Sequence, residues 1–200
     1  MENSKSIYIG LFSLFLGAAL LGSSAIFVRF SETSPSLTAF YRALLALPFL
    51  LIWVLGSKNN LPVKRYLTKD NLVFLFLAGV FFGTDMAVWN WSISFTSVAH
   101  ATLMANTAPI FVTFIAFFFL RQKIETSFFR ALFLAFTGVS LVILSGSGSD
   151  LFRLLGDSLG LIAAIFYAAY ILAIKKLTDS IPPAHTLFLP LCLQQSFYFQ

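Results

Sequence analysis

Charge is what this sequence has least of. Charged residues make up 10% of the 200 residues and hydrophobic ones 58%, where soluble domains carry roughly a quarter charged. A chain of this length has too much surface for its volume to hide that much apolar material in one aqueous core. With a mean hydropathy of +0.88, a soluble globular domain is excluded and lipid is the expected solvent. Cysteine is nearly absent as well. Cys192 stands alone, so no intrachain disulfide forms, and no Cys/His spacing has the form of a metal site. The thiol reads as an inert core or lipid-facing group.

The motifs of catalysis are missing too. There is no Walker loop, which excludes an ATP-driven engine within the chain, and neither HExxH nor GxSxG occurs. His100 and His185 read as isolated. Without a nucleophile and base in one constellation, the chain reads as a non-enzyme that needs neither metal nor cofactor. No arginine-rich span marks a voltage sensor. The basic excess, 13 Lys and Arg against 8 Asp and Glu, does not cluster into the stripe that nucleic acid requires. It falls in the gaps between apolar runs, so the expected partner is a bilayer and not nucleic acid.

Those runs are the main positive feature. They cover residues 7–28, 37–55, 72–91, 99–120, 128–144, 159–174 and a weak last one at 186–198 that carries Gln194 and Gln195. A helix needs roughly 20 apolar residues to cross the hydrocarbon layer, and helices are required because lipid offers no partner to an open N–H or C=O. The first run is longer than the roughly 7–15 apolar residues of a signal peptide, so it reads as a retained helix. Lys5, Lys58, Lys64, Arg65, Lys69, Arg121, Lys123, Arg130, Lys175 and Lys176 fall on one side, and Arg29 and Arg153 on the other. The positive-inside rule makes the richer side cytoplasmic and puts the N-terminus inside. That orientation and the failing seventh run exclude a seven-helix receptor. The expected location is the cell (inner) membrane, with multiple passes.

Five runs precede the Gly/Ser-rich stretch SGSGSD at 145–150, a flexible linker by composition. The expected fold is therefore all-α and polytopic: a five-helix module at 1–146, then a linker and one or two helices of a second module at 147–200. An odd helix count inverts the second module relative to the first, as in many secondary transporters. A shift of 147 residues places Pro35 on Pro182 and Arg29 on Lys176, aligning RFSETSP with KLTDSIP. The pattern is generic enough that true duplication and coincidence both remain open.

The polar residues within the runs carry the functional reading, because a charge at membrane depth is costly unless it faces a cavity or a partner. Asp85 lies roughly 20 Å along its helix from the basic side at 1.5 Å per residue. It either binds a cationic group or a proton during transport, or forms a structural ion pair. Arg42 reaches a similar level and either pairs with Asp85 or snorkels outward along its methylene stem. Asn106 precedes Thr107 and Pro109, where proline frees a backbone carbonyl. It lines a cavity or bonds a neighbouring helix. Tyr167 and Tyr170 line a cavity or simply pack, and Trp89, four residues after Asp85, is a belt aromatic or a ligand platform. The small-residue rows Gly79–Gly83–Ala87 and Gly156–Gly160–Ala164–Ala168 read as helix contacts.

The stretch TSVAHATLMANTAPIFVTFIAFFFLRQKI, followed by GVSLVILSG, resembles the first EamA-type module of the drug/metabolite transporter superfamily, and AFYRALLALP around Arg42 resembles its helix-2 arginine segment. The resemblance covers about residues 7–146. It implies a secondary transporter of a small metabolite or drug-like solute, with an inward arginine. Two departures accompany it. Gln122 stands where that family usually has an acidic residue, and the family normally has ten helices. The resemblance therefore implies a truncated, split or partial chain. The alternative is a non-transporting fragment or half-module that needs a homo- or hetero-oligomeric partner to supply the missing half.

Overall fold

The computed structural model describes residues 2–30, 32–57, 68–121, 126–145 and 151–198. Among these every regular element is an α-helix: α1 (Glu2–Phe30), α2 (Pro35–Gly56), α3 (Lys69–Phe95), α4 (Val98–Ala105), α5 (Ala108–Leu120), α6 (Thr126–Ser145), α7 (Leu151–Thr178) and α8 (Pro183–Tyr198). Five stretches are long and apolar enough to cross a membrane: Gly10–Phe30, Pro35–Gly56, Lys69–Phe95, Val98–Phe118 and Leu151–Thr178. The chain is an all-α polytopic membrane protein. Its linker at 146–150 lies outside the described residues, as do Lys58, Lys64, Arg65, Gln122 and Lys123.

Local chemistry sets the helix starts. Ser34, Thr68 and Ser97 are N-caps whose hydroxyls accept from Leu37, Asn71 and His100 N–H, satisfying donors that the first turn leaves open. Pro35 occupies the first turn of α2, where no N–H is needed. The fourth apolar run differs from the single helix expected of it. It breaks at Asn106–Thr107 into α4 and α5, because Pro109 has no N–H to continue the ladder. The Thr107 hydroxyl donates to Met104 O at 2.6 Å across the break.

The centre of the molecule is α3, packed against α2, α7 and α8. Gly156 of α7 touches Thr96 at the end of α3, whereas Ala173, Leu177 and Ile181 pack with Leu75 and Ala78 near its start. The two helices are therefore antiparallel. The α1–α2 turn lies at the Thr96 end and the α7–α8 turn at the opposite, basic end. The small-residue rows have definite partners. Gly79 and Gly83 receive Pro190, Leu193 and Gln194 of α8, and Gly160 receives Met104 and Ala101. Without a Cβ the backbones approach closely, the usual source of helix affinity in lipid.

Gln194 and Gln195 sit inside α8, a helix of 16 residues, and are buried against the bundle. Gln195 Nε2 donates to Phe40 O of α2 at 3.4 Å. The polar side of α8 thus faces protein. By contrast, α1 shows Phe12, Phe15, Phe27 and Phe30 to the surroundings, and α6 shows Phe129, Phe133 and Phe136. Apolar exposure on that scale is stable only against lipid or another apolar surface.

A candidate intramembrane polar site

Asp85 is one of the few buried charges of the bundle, with 5% of its surface exposed. The row Gly79–Gly83 turns α3 toward α8, and two further residues rotate about 200°, so Asp85 points to a different neighbourhood. Arg42 of α2 and Tyr167 and Tyr170 of α7 are the groups whose charge or dipole it feels. Arg42 reaches across to α3. Its guanidinium lies over the Trp89 ring, 5.1 Å from the centroid, in cation–π geometry. Trp89, one helical turn beyond Asp85, is therefore the platform for Arg42.

The pair is near but not closed. Among the described residues no ion pair forms between Asp85 and Arg42, and Arg42 Nη1 is buried without a hydrogen-bond partner. An orphaned guanidinium nitrogen is costly in low dielectric, so both groups retain capacity for something between them. The α7 neighbours are aromatic. Tyr167 and Tyr170 stack with centroids 6.0 Å apart, and Phe82 packs on Tyr170 at 4.8 Å. Tyr167 is 39% exposed. Asn106 does not join the group. It caps α4 on the exposed side of the α4–α5 break.

Sequence reasoning missed a second polar cluster. Asp157 of α7 accepts from Thr96 Oγ1 at 2.9 Å, and His100 Nδ1 lies 3.5 Å from the same carboxylate. Arg153 reaches His100 Nε2 at 3.3 Å and Asp157 Oδ2 at 4.0 Å. His100 is isolated in sequence but not in space. The available signal was the Arg153–Asp157 pair at i,i+4, obscured because the apolar run starts later than the helix does. The cluster fastens the α3–α4 turn to α7. Asp157→Ala should lower stability by about 2 kcal/mol, since Thr96 then loses a buried acceptor. Asp157→Asn should cost less, because its carbonyl still accepts. Thermal unfolding in detergent reads both, and unchanged melting in both would remove the fastening role.

A family model of the EamA-like transporter family matches residues 8–144. The uncharacterized transporter YetK of Bacillus subtilis is 29% identical over 176 residues, covering 84% of this chain and 52% of that protein. Solute carrier family 35 member G1 of Mus musculus is 30% identical over 141 residues, 68% of this chain and 36% of its own length. The uncharacterized transporter YxxF of Bacillus subtilis is 26% identical over 194 residues, 94% and 60%. The chain spans about half the length of the curated relatives it matches. With a family match over most of its length and a buried polar site between its helices, the chain belongs to the EamA-like transporter family.

Proposed function

We propose that the chain is a non-enzymatic part of a secondary transporter that moves a small solute past Asp85, Arg42, Trp89, Tyr167 and Tyr170. The observation that carries the reading is the unclosed Asp85–Arg42 pair: Asp85 is buried and Arg42 Nη1 lacks a partner. A fully mated pair would be structural, whereas an open pair beside a half-exposed tyrosine can exchange partners with a solute or a proton. In this proposal the basic end is cytoplasmic, as the charge rule requires, and the membrane is that of the cell. A complementary helix set, from the same or a partner polypeptide, supplies the other wall, and access alternates by rocking of the two sets. Asn106 then acts at the helix break and not at the central pair.

The test is complementation of a deletion strain with wild type or Asp85→Asn, with uptake and efflux of a small-solute panel followed from acid to alkaline pH. The variant should bring pH-dependent flux to background while reaching the membrane in normal amount. Flux unchanged across pH would remove Asp85 from coupling.

A further inference from the structure

Gln194 of α8 has none of its surface exposed, and neither its Nε2 nor its Oε1 has a hydrogen-bond partner among the described residues. A primary amide brings two donors and two lone pairs, and burying it unmated in low dielectric is costly. An apolar side chain of the same length would suit this seat better. Gln195 repeats the pattern. Its Nε2 donates to Phe40 O at 3.4 Å, longer than an ordinary hydrogen bond, and its Oε1 is buried without a partner.

The helices that these glutamines touch are the two that carry the open pair. Gln194 lies on α3 at Gly83, where a Cβ would stand 2.9 Å from Gln194 Cγ, and Gly83 is two residues from Asp85. Gln195 meets α2 at Phe40, two residues from Arg42. Two residues rise about 3 Å, so α8 holds α2 and α3 at nearly the level of the pair. The seam is smooth as well. Gly79 and Gly83 offer α8 backbone and no side chain, the kind of contact along which packed helices slide.

We propose that Gln194 and Gln195 are positioning residues that give α8 two seats on α2 and α3, and so set the distance between Asp85 and Arg42. The seat seen here packs α8 closely on glycine backbone but leaves the amides unmated, and in it the pair stands apart. In the other seat the amides are bonded, that packing is given up, and the α2–α3 spacing at the pair changes. Opposed terms of this kind keep two arrangements within reach of each other. Gln194 has no exposed surface and does not touch the solute; it acts through the spacing. Only the consequence for flux rests on the reading of Asp85 and Arg42 as the solute site.

Pulsed-EPR distances between spin labels at Leu45→Cys of α2 and Val73→Cys of α3, both exposed positions, read the spacing in nanodiscs on a Cys192→Ser background. The otherwise unchanged chain should show two distances, neither below about a tenth of the population. Gln194→Met, which keeps the length and removes the amide, should show one, and Gln194→Asn, which keeps an amide, should retain both. Gln194→Met should also melt about 3 °C higher, because an unmated buried polar group is gone. In flux its KM should stay and its kcat fall at least about tenfold, since the solute groups are intact and the movement is not. A purely structural glutamine would not split the two constants. A single distance in the unchanged chain, a lower melting temperature for Gln194→Met (an amide satisfied in place) or an undiminished kcat overturns the proposal. Flux that ignores Asp85→Asn sinks the solute reading instead, and the two distances then decide this proposal alone.

Discussion

Gly156→Val should leave almost no folded protein in detergent. A Cβ at Gly156 would stand 2.7 Å from Thr96 Cβ and 2.8 Å from Thr96 N. A side chain end can swing aside, but a backbone nitrogen cannot. Thr96 is the C-cap of α3, and its own N–H is bonded to Ser92 O, so relief requires α3 and α7 to separate. That separation breaks two further links, Ser92 Oγ to Gly156 O at 2.7 Å and Thr96 Oγ1 to Asp157. Overpacking costs about 1–3 kcal/mol, and each buried polar group stranded by it adds about 1–3 kcal/mol. The sum rivals a net stability of roughly 5–15 kcal/mol. Gly138→Val is the control, because nothing lies within 4 Å of a Cβ there. The measurement is the monodisperse fraction on size exclusion and its melting temperature. Equal behaviour of the two variants would mean that the α3–α7 contact is not the seam on which the bundle depends.

That seam was partly legible in the sequence. The rows of small residues announced close contacts, since in lipid only shape and hydrogen bonds hold helices together, but a row does not name its partner. Gly156 and Gly160 meet the α3–α4 segment, and Gly79 and Gly83 meet α8; both are long-range facts. The helix class and most spans were readable because apolar runs must close their own backbone bonds. Breaks and ends were less so. Asp157 fell outside its apolar run because a charge lowers local hydropathy even where Thr96 and His100 compensate it in space. Gln194 and Gln195 mark a last run too short for a full span, since α8 has 16 residues, but their burial against α2 and α3 is again a long-range fact. For the central site, depth along each helix brought Asp85 and Arg42 to one level. The rotation that puts Trp89 beneath Arg42 and leaves Asn106 outside depends on packing angles that no single run encodes.

Removing Arg42 should be far more damaging than removing Asp85, and removing both should restore much of the loss. Arg42→Met leaves the Asp85 carboxylate buried with its nearest cation removed, forfeiting the attraction across the open pair and leaving a charge that low dielectric penalises. Asp85→Asn leaves a guanidinium that is only half-buried and still rests on the Trp89 ring, a contact worth about 1–2 kcal/mol in partly desolvated settings. The carboxamide also fills the same space. In the double variant neither charge is stranded, and what remains buried is a neutral carboxamide that needs only hydrogen-bond partners. Two charges several ångströms apart attract by roughly 2–4 kcal/mol at an effective dielectric near 20, so the double-mutant cycle should show coupling of about 2 kcal/mol in detergent melting. Transport separates the structural meaning of the pair from the functional one. If Asp85 and Arg42 only hold α2 against α3, the double variant regains flux along with stability. If they handle the solute, the double variant is stable and inactive, and that is the expected result. A cycle with no coupling would assign the buried carboxylate to a partner other than Arg42.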